Sequence, residues 1–131
     1  MRKHKTVSNI INLKDYKPKI SEAQLKKSIQ DYLQVLENQG VLYWDRLNSG
    51  ELLVLNKDES KRLVKLCRKG TADIIILFSK KVIYLETKKL GGEQGESQKE
   101  FEFKVKNQGA EYYLVDTYEK FLSMIDQEGI V

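Results

Sequence analysis

The chain has 131 residues, of which 40% are hydrophobic and 32% are charged, and its formal net charge is +4. This length is ordinary for one domain with a buried core, and the positive charge favours polyanionic partners without defining a fold. Cys67 is the only cysteine and His4 the only histidine, which excludes an internal disulfide and a zinc site of cysteines or clustered histidines. A bound metal would need oxygen ligands, which favours Mg²⁺ or Mn²⁺.

The first 20 residues are basic and contain the only proline, Pro18. We expect residues 1–20 to form an arm that is disordered or ordered only on a partner, and residues 21–131 to form a single domain. No apolar run reaches the roughly 20 residues that span a bilayer, and no hydrophobic signal segment follows the basic N-terminus. We therefore expect no membrane association and a cytoplasmic location.

A first helix is predicted from Ser21 to Gln39. Ser21-Glu22-Ala23-Gln24 is a capping-box pattern, in which the serine and glutamine side chains each accept from the other residue's backbone amide. Gly40 is a natural C-terminal stop. Apolar residues then recur at spacings of three and four, which is typical of one buried helical face; they are Leu25, Ile29, Tyr32, Leu33 and Leu36.

Short β-like runs follow the helix, at Val41–Asp45, Leu52–Leu55, Leu63–Cys67, Ala72–Phe78 and Val82–Lys88. The fourth run is almost entirely hydrophobic, as expected of a strand covered on both faces. Ser79-Lys80-Lys81 is a tight turn. Because a connection this short cannot form a parallel crossover, we predict an antiparallel hairpin of the last two runs.

The C-terminal third predicts a helix, a strand and a further helix. A glycine-rich loop, Gly91–Gly95, precedes a second capping-box pattern, Ser97-Gln98-Lys99-Glu100, which opens a helix ending near Gln108. Glu111 to Val115 is a short strand. Asp116 or Thr117 caps a last helix, whose apolar residues are Tyr118, Phe121, Leu122 and Ile125. The expected order of elements is α-β-β-β-α-β-α.

Charged residues cluster where one strand of the predicted hairpin begins and the other ends. Asp73 stands at the start of the first strand, and Glu86 and Lys88 stand at the end of the second. Strand side chains alternate, so Glu86 and Lys88 point to one face and Thr87 to the other. A short hairpin brings the start of one strand beside the end of the next. We therefore expect Asp73, Glu86 and Lys88 to converge.

Carboxylates at the ends of core strands are costly unless they are paired or bound to metal. A divalent ion held by Asp73 and Glu86 would satisfy them, polarise a scissile phosphate and lower the pKa of a bound water. Lys88 would orient or activate that water, or stabilise charge in the transition state. The cluster therefore favours metal-dependent hydrolysis of phosphodiester bonds.

The order of the motifs resembles a known family. Asp73 followed by Glu86-Thr87-Lys88 is similar to the D…(D/E)xK motif of the PD-(D/E)XK nuclease superfamily. Together with other segments it resembles the VRR-NUC (virus-type replication-repair nuclease) family, from about Ser21 to Val115. The segments, in order, are Glu22, Arg46-Leu47-Asn48-Ser49-Gly50, Gly70-Thr71-Ala72-Asp73, Glu86-Thr87-Lys88 and Gln98-Lys99-Glu100-Phe101.

The resemblance implies a PD-(D/E)XK core, a mixed sheet flanked by helices, dependence on Mg²⁺ or Mn²⁺, and cleavage of DNA. Asp73, Glu86 and the backbone carbonyl of Thr87 would bind the metal. Glu22 would reach it directly or through water, and Gln98 would line the site. The implied catalytic set is thus Asp73, Glu86, Lys88, Gln98 and Glu22.

The resemblance also implies the partners. Arg46, Asn48 and Ser49 would contact DNA phosphates. Apart from the resemblance, Lys89 could belong to a basic rim with Lys80, Lys81 and Lys88, or be simply solvated. Small members from bacteria or phages resemble Holliday-junction resolvases and often act as dimers. We therefore expect a structure-selective endonuclease of replication, repair or recombination that binds branched or duplex DNA as a homodimer in a bacterial or phage-infected cell.

Simpler interpretations remain for each residue. Glu86 and Lys88 could form an ordinary ion pair, Asp73 could cap a turn, and Glu22 could stabilise the helix N-terminus. Gln98 could be a solvated first-turn residue, and Asn48-Ser49-Gly50 on its own is a turn. The rival functions are a catalytically silent nucleic-acid-binding module with the same fold, and an interaction protein whose charged strand ends are solvated.

Overall fold

The computed structural model describes residues 20–131, so the predicted N-terminal arm lies outside the described residues except for Ile20. The helices are α1 (Glu22–Asn38), α2 (Glu96–Asn107) and α3 (Tyr118–Gln127). The strands are β1 (Tyr43–Arg46), β2 (Glu51–Leu55), β3 (Lys61–Lys65), β4 (Ile74–Phe78), β5 (Lys81–Thr87) and β6 (Glu111–Val115). None of these helices is both long and apolar enough to cross a membrane.

A four-stranded sheet with the order β1-β4-β5-β6 forms the centre of the molecule. Its first two pairings are antiparallel and the pairing of β5 with β6 is parallel, so the sheet is mixed. Helices α1 and α3 cover one face. Helix α2 lies on the other, where Phe101 contacts Tyr84 and Tyr112. The predicted α/β class with a mixed sheet flanked by helices is confirmed.

The predicted order α-β-β-β-α-β-α omits two strands, because five strands lie between α1 and α2. Strands β2 and β3 pair only with each other. They form a separate antiparallel hairpin that lies between β1 and β4 along the chain. If this hairpin is left aside, the elements run α1-β1-β4-β5-α2-β6-α3. The β-like runs were visible in the sequence, but their pairing partners are a tertiary property.

Helix α1 forms where the sequence predicted it. The Ser21 hydroxyl accepts from the Gln24 amide at 3.1 Å, and the Ser21 amide donates to the Gln24 side chain at 3.0 Å. Both halves of the predicted capping box are therefore present. The apolar stripe packs on the sheet, and its buried members are Leu25, Ile29, Leu33 and Leu36.

Helix α2 begins earlier than predicted and has a different cap. Its first residue is Glu96 and its N-cap is Gly95, not Ser97. The Gln98 side-chain oxygen accepts from the Gly95 amide at 2.9 Å. Glycine has no side chain to return the bond, so only the glutamine half of a capping box exists here. At α3, Thr117 is the N-cap, and its hydroxyl accepts from the Lys120 amide at 3.2 Å.

The core lies between the sheet and helices α1 and α3. The side chains with no exposed surface come from both helices and from the two central strands; they include Ile29, Leu33, Ile74, Ile76, Ile83, Leu85 and Phe121. Burial of each such side chain contributes roughly 1.5–3 kcal/mol. The core therefore depends on β4 and β5 presenting their isoleucines and leucine to the same face.

Ile29→Ala should lower the free energy of unfolding by about 2–5 kcal/mol, because it removes a fully buried side chain and leaves a cavity. Val35→Ala on the same helix is the control, since Val35 is 53% exposed and should cost less than about 0.5 kcal/mol beyond the propensity change. Urea denaturation measures both. Equal losses in the two variants would contradict the packing of α1 against the sheet.

Candidate active site

The two predicted carboxylates meet at the end of the β4–β5 hairpin. Ile74 pairs with Leu85, so extending the antiparallel register by one residue sets Asp73 opposite Glu86. Asp73 directly precedes β4, and Glu86 is the penultimate residue of β5. Glu86 is only 4% exposed. The structure thus brings together the pair that the hairpin prediction placed side by side.

Hydrogen bonds hold the Asp73 carboxylate from the α1 side of the sheet. Its Oδ2 accepts from both the amide and the hydroxyl of Thr87, each at 2.8 Å. Its Oδ1 lies 3.4 Å from the Lys26 ammonium, which extends from α1. Burial acts to raise the pKa of Asp73, but hydrogen bonds from Glu86 and Thr87 outweigh it and leave that pKa below its usual value. Asp73 is therefore ionised at neutral pH.

The pKa of Glu86 shifts in the opposite direction to that of Asp73. Burial, together with the hydrogen bond to Asp73 and the negative charge of Asp73, raises the pKa of Glu86 to about 8. The positive charges of Lys88 and Lys26 act against this rise. Glu86 Oε1 is buried and has no hydrogen-bond partner among residues 20–131. At neutral pH the pair consequently holds one proton, which resides on Glu86.

Lys88 follows directly after β5 and is half-buried. Its amide donates to the Val115 carbonyl at 2.9 Å, which fixes the backbone beside the end of β6. Its positive charge is near enough to Glu86 to oppose the rise in that residue's pKa. The end of β5 therefore carries two buried or half-buried ionisable residues around the buried Thr87.

Glu22 and Gln98, the two expected helix residues, are arranged differently from the strand pair. Glu22 is half-buried and lines an open groove with Lys26 and Arg46. Within residues 20–131, no group of three or more Asp, Glu, His or Cys side chains is arranged to hold a metal ion, so Glu22 does not complete such a group with Asp73 and Glu86. Gln98 uses its side-chain oxygen to cap α2.

The predicted DNA-contact residues are all exposed. Arg46 ends β1 and reaches the groove beside α1. Asn48 and Ser49 lie at the root of the β2–β3 hairpin, where the Asn48 carbonyl accepts from the Cys67 amide at 2.8 Å and Ser49 forms an isolated bridge to Cys67. Lys89 lies in the loop after β5. Arg46 and Lys89 thus lie at or just past strand ends on the side of the sheet that carries Asp73 and Glu86, whereas Asn48 and Ser49 lie against Cys67.

Sequence reasoning missed two contacts of the site. The Thr87 hydroxyl was expected on the face opposite Glu86, yet it donates to Asp73, because Asp73 precedes β4 and its side chain is not held to the strand's alternation. Lys26 carries only a weak sequence signal, since it lies one turn after Glu22, next to the apolar stripe of α1.

Gly70 positions the loop that carries Asp73. Its φ of +91° is in the left-handed region, and a Cβ built on it would overlap the Ser97 carbonyl in the first turn of α2. Only glycine allows the backbone to approach this closely. The loop before β4 and the start of α2 therefore pack against each other through Gly70.

Gly70→Ala should destabilise the protein more than Gly109→Ala. Both glycines have a φ of +91°, so both variants carry the same backbone strain, but nothing lies within 4 Å of a Cβ at Gly109. Chemical denaturation of the two variants isolates the clash with Ser97. Similar losses would show that the close approach of α2 is not constrained by Gly70.

The raised pKa of Glu86 predicts a pH-dependent stability in the absence of metal. The folded protein binds the Glu86 proton up to about pH 8, whereas the unfolded chain releases it near its ordinary value of 4.5. Stability should therefore fall as pH rises between these two values. Glu86→Gln, which mimics the protonated acid, should match the wild type near pH 5 and unfold at a higher temperature at pH 8.5.

Thermal unfolding in EDTA across this pH range tests the effect. Glu93→Gln, at an exposed loop position, is the control and should follow the wild type. Parallel curves for wild type and Glu86→Gln would mean that Glu86 titrates normally.

A comparison of the sequence with models of protein families finds no match, and a comparison with curated proteins finds none.

Proposed function

We propose that the protein is a divalent-metal-dependent DNA endonuclease of the PD-(D/E)XK type, related to the VRR-NUC nucleases that its motifs resemble. The observation that carries this proposal is the buried Asp73–Glu86 pair at the end of β5, in which Glu86 Oε1 has no partner among the described residues. Burying a carboxyl oxygen that has no hydrogen-bond partner costs stability. A bound cation would offset that cost.

A second buried glutamate in residues 20–131 gives a comparison within the same chain. Glu128 is 8% exposed. It accepts from Lys81 at 3.1 Å and from the Tyr113 hydroxyl, so both of its oxygens have partners. Glu128 thus fits a structural role. Glu86 lacks this satisfaction, which supports a functional role for the Asp73 end of the sheet.

Mg²⁺ or Mn²⁺ fits the donor chemistry, because hard divalent cations prefer carboxylate and carbonyl oxygens. Asp73 and Glu86 would bind the ion, with the Thr87 carbonyl as a further ligand and Glu22 acting through water. The bound ion would polarise the scissile phosphate and favour formation of hydroxide.

The protein's own residues would prepare this site. Thr87 holds Asp73 Oδ2 in a fixed direction through two hydrogen bonds. Glu86 must release its proton to bind a cation, so cation binding should strengthen as pH rises toward 8. Lys88 would orient the attacking water or stabilise negative charge that develops on the phosphate. Gln98 would act indirectly, by fixing the start of α2 beside Gly70.

Within residues 21–131, DNA contacts would depend on local cations and polar groups, because this part of the chain is not basic as a whole. Of the 23 Lys and Arg and 19 Asp and Glu residues, six and one fall in residues 1–20, which leaves 17 cations and 18 anions in residues 21–131. Arg46, Asn48, Ser49 and Lys89 would contact phosphates around the site. Contacts to phosphate give strong salt dependence and little sequence preference.

The proposed substrate is branched DNA of the Holliday-junction kind, in the cytoplasm of a bacterial or phage-infected cell. Resolution of a four-way junction requires cuts in two strands related by symmetry. A homodimer supplies two such sites, and the protein would act as one.

A catalytically silent DNA-binding module is the alternative. It is favoured by the position of Glu22, which lies in a groove with Lys26 and Arg46 and does not join Asp73 and Glu86 in a three-carboxylate group. Cleavage distinguishes the two functions, because both would bind DNA.

Labelled four-way junctions, flaps and linear duplex should be cut in Mg²⁺ or Mn²⁺ and remain intact in EDTA. Asp73→Asn, Glu86→Gln and Lys88→Ala should each lower the cleavage rate by at least about a hundredfold, since each removes a group that acts on metal or transition state. Arg46→Ala should mainly weaken binding.

Glu128→Gln is the matched control for Glu86→Gln, because it changes a buried glutamate at another position. It should keep the wild-type cleavage rate at a temperature where both variants are folded. Tight DNA binding without cleavage in any metal would replace the nuclease with the silent module, and an unchanged rate in Asp73→Asn would refute the site.

A further inference from the structure

The β2–β3 hairpin is apolar yet uncovered. Among the helices and strands of residues 20–131, its two strands contact only each other. Its leucines are exposed to an unusual degree: Leu52 is 54% exposed, Leu53 60%, Leu55 64% and Leu63 58%. A two-stranded hairpin on its own is marginally stable in water. Because of these features, we expect a partner to cover the hairpin in solution.

One edge of β2 has backbone amides and carbonyls that do not bond to β3 and that could bond to another strand. The bonds from the Leu66 amide to the Gly50 carbonyl (3.0 Å) and from the Asn56 amide to the Ser60 carbonyl (2.7 Å) lie at the two ends of the hairpin ladder. In an antiparallel ladder, hydrogen-bonded positions alternate, so the even-numbered residues of β2 bond to β3. The amides and carbonyls of Glu51, Leu53 and Leu55 therefore point away from β3.

We propose that a second copy of this chain covers the hairpin by antiparallel pairing of β2 with its partner's β2, about a two-fold axis at Leu53. The result is a four-stranded sheet shared by two protomers. Leu53 then pairs with the same residue of the partner, and Glu51 pairs with the partner subunit's Leu55. All three outward-pointing positions of each β2 gain hydrogen bonds.

The side chains are self-complementary in this register. On one face, Leu63 and Leu53 of each protomer form a row of four leucines across the new sheet, because these two residues already pair within the hairpin. On the other face, Leu52 meets the partner's Val54. No like charges face each other directly across the new contact, since the one charged residue of β2, Glu51, is opposite a leucine.

Repulsion between lysines disfavours pairing of two copies through the other free edge of the hairpin, which belongs to β3. Pairing β3 with its partner's β3 about Leu63 would set Lys61 directly opposite the partner's Lys65, twice in each dimer. Like charges directly opposite each other are destabilising. Lysines on an outer strand also block further pairing, so the shared sheet stops at four strands. The basic residues of β3 stay exposed on both outer edges.

This inference names the surface that joins the homodimer included in the proposed function. It is tested without DNA or metal, so its outcome is separate from that of the nuclease proposal. The chain of 131 residues should have a mass twice its 15.3 kDa in analytical ultracentrifugation. Leu53→Lys should raise the dimer dissociation constant by more than about tenfold, because it sets two charges against each other in an apolar contact.

Leu63→Lys is the matched control, since Leu63 is equally exposed and shares the face but lies on the outer strand. It should weaken the dimer less than Leu53→Lys. A monomeric wild-type chain, or a dimer that Leu53→Lys leaves intact, would overturn the proposed surface.

Cross-linking distinguishes edge pairing from stacking of two hairpins face to face. In a Cys67→Ser background, oxidised Leu53→Cys should form a disulfide between protomers, because paired Cα atoms lie roughly 5.5 Å apart. Leu63→Cys should not, because three strand spacings put its two copies about 14 Å apart. Cross-linking of both variants, of Leu63→Cys alone or of neither would contradict pairing through β2.

Discussion

The antiparallel pairing of β4 with β5 is the constraint on which both the core and the candidate site depend. A two-residue turn, Ser79 and Lys80, has positive φ at both positions and sets the pairing of Phe78 with Lys81. The same register turns the buried side chains of both strands toward α1 and α3, and it sets Asp73 opposite Glu86. A slip of one residue would reverse every side chain of the moved strand. A slip that moved Glu86 away from Asp73 would also turn the buried side chains out of the core. The packing of the core therefore fixes the geometry of the site.

The candidate site combines stabilising and destabilising interactions within a few ångströms. Thr87 and Lys26 stabilise the ionised Asp73. The same negative charge, together with burial, disfavours ionisation of Glu86. A structural role would not require this conflict, and Glu128 shows how the chain resolves burial when only structure is needed. Opposite pKa shifts of two neighbouring carboxyl groups are typical of sites whose charge balance is completed by a ligand.

Charge and apolar residues are distributed unevenly along the chain and between the two strands of the β2–β3 hairpin. Residues 1–20 contain six cations and one anion and so account for all of the excess positive charge in the sequence, while the remaining 111 residues contain one more anion than cations. The β2–β3 hairpin is inserted between β1 and β4, next to the sheet end that carries Asp73. One strand of the hairpin is basic and the other almost entirely apolar. The proposed pairing of two copies would cover the apolar β2 and leave the basic β3 at the outer edge.

The sequence by itself determined the features that depend on residues close along the chain. The capping box at Ser21, the strand Glu111–Val115 and the hairpin around Ser79 all follow from local hydrogen bonding and periodicity. The meeting of Asp73 with Glu86 followed as well, because a tight turn fixes which strand ends lie together. Tertiary structure alone decided that β2 and β3 leave the central sheet, and that Lys26 and the Thr87 hydroxyl hold Asp73. These contacts join residues whose separation along the chain leaves no periodic signal, and packing rather than local preference selects them.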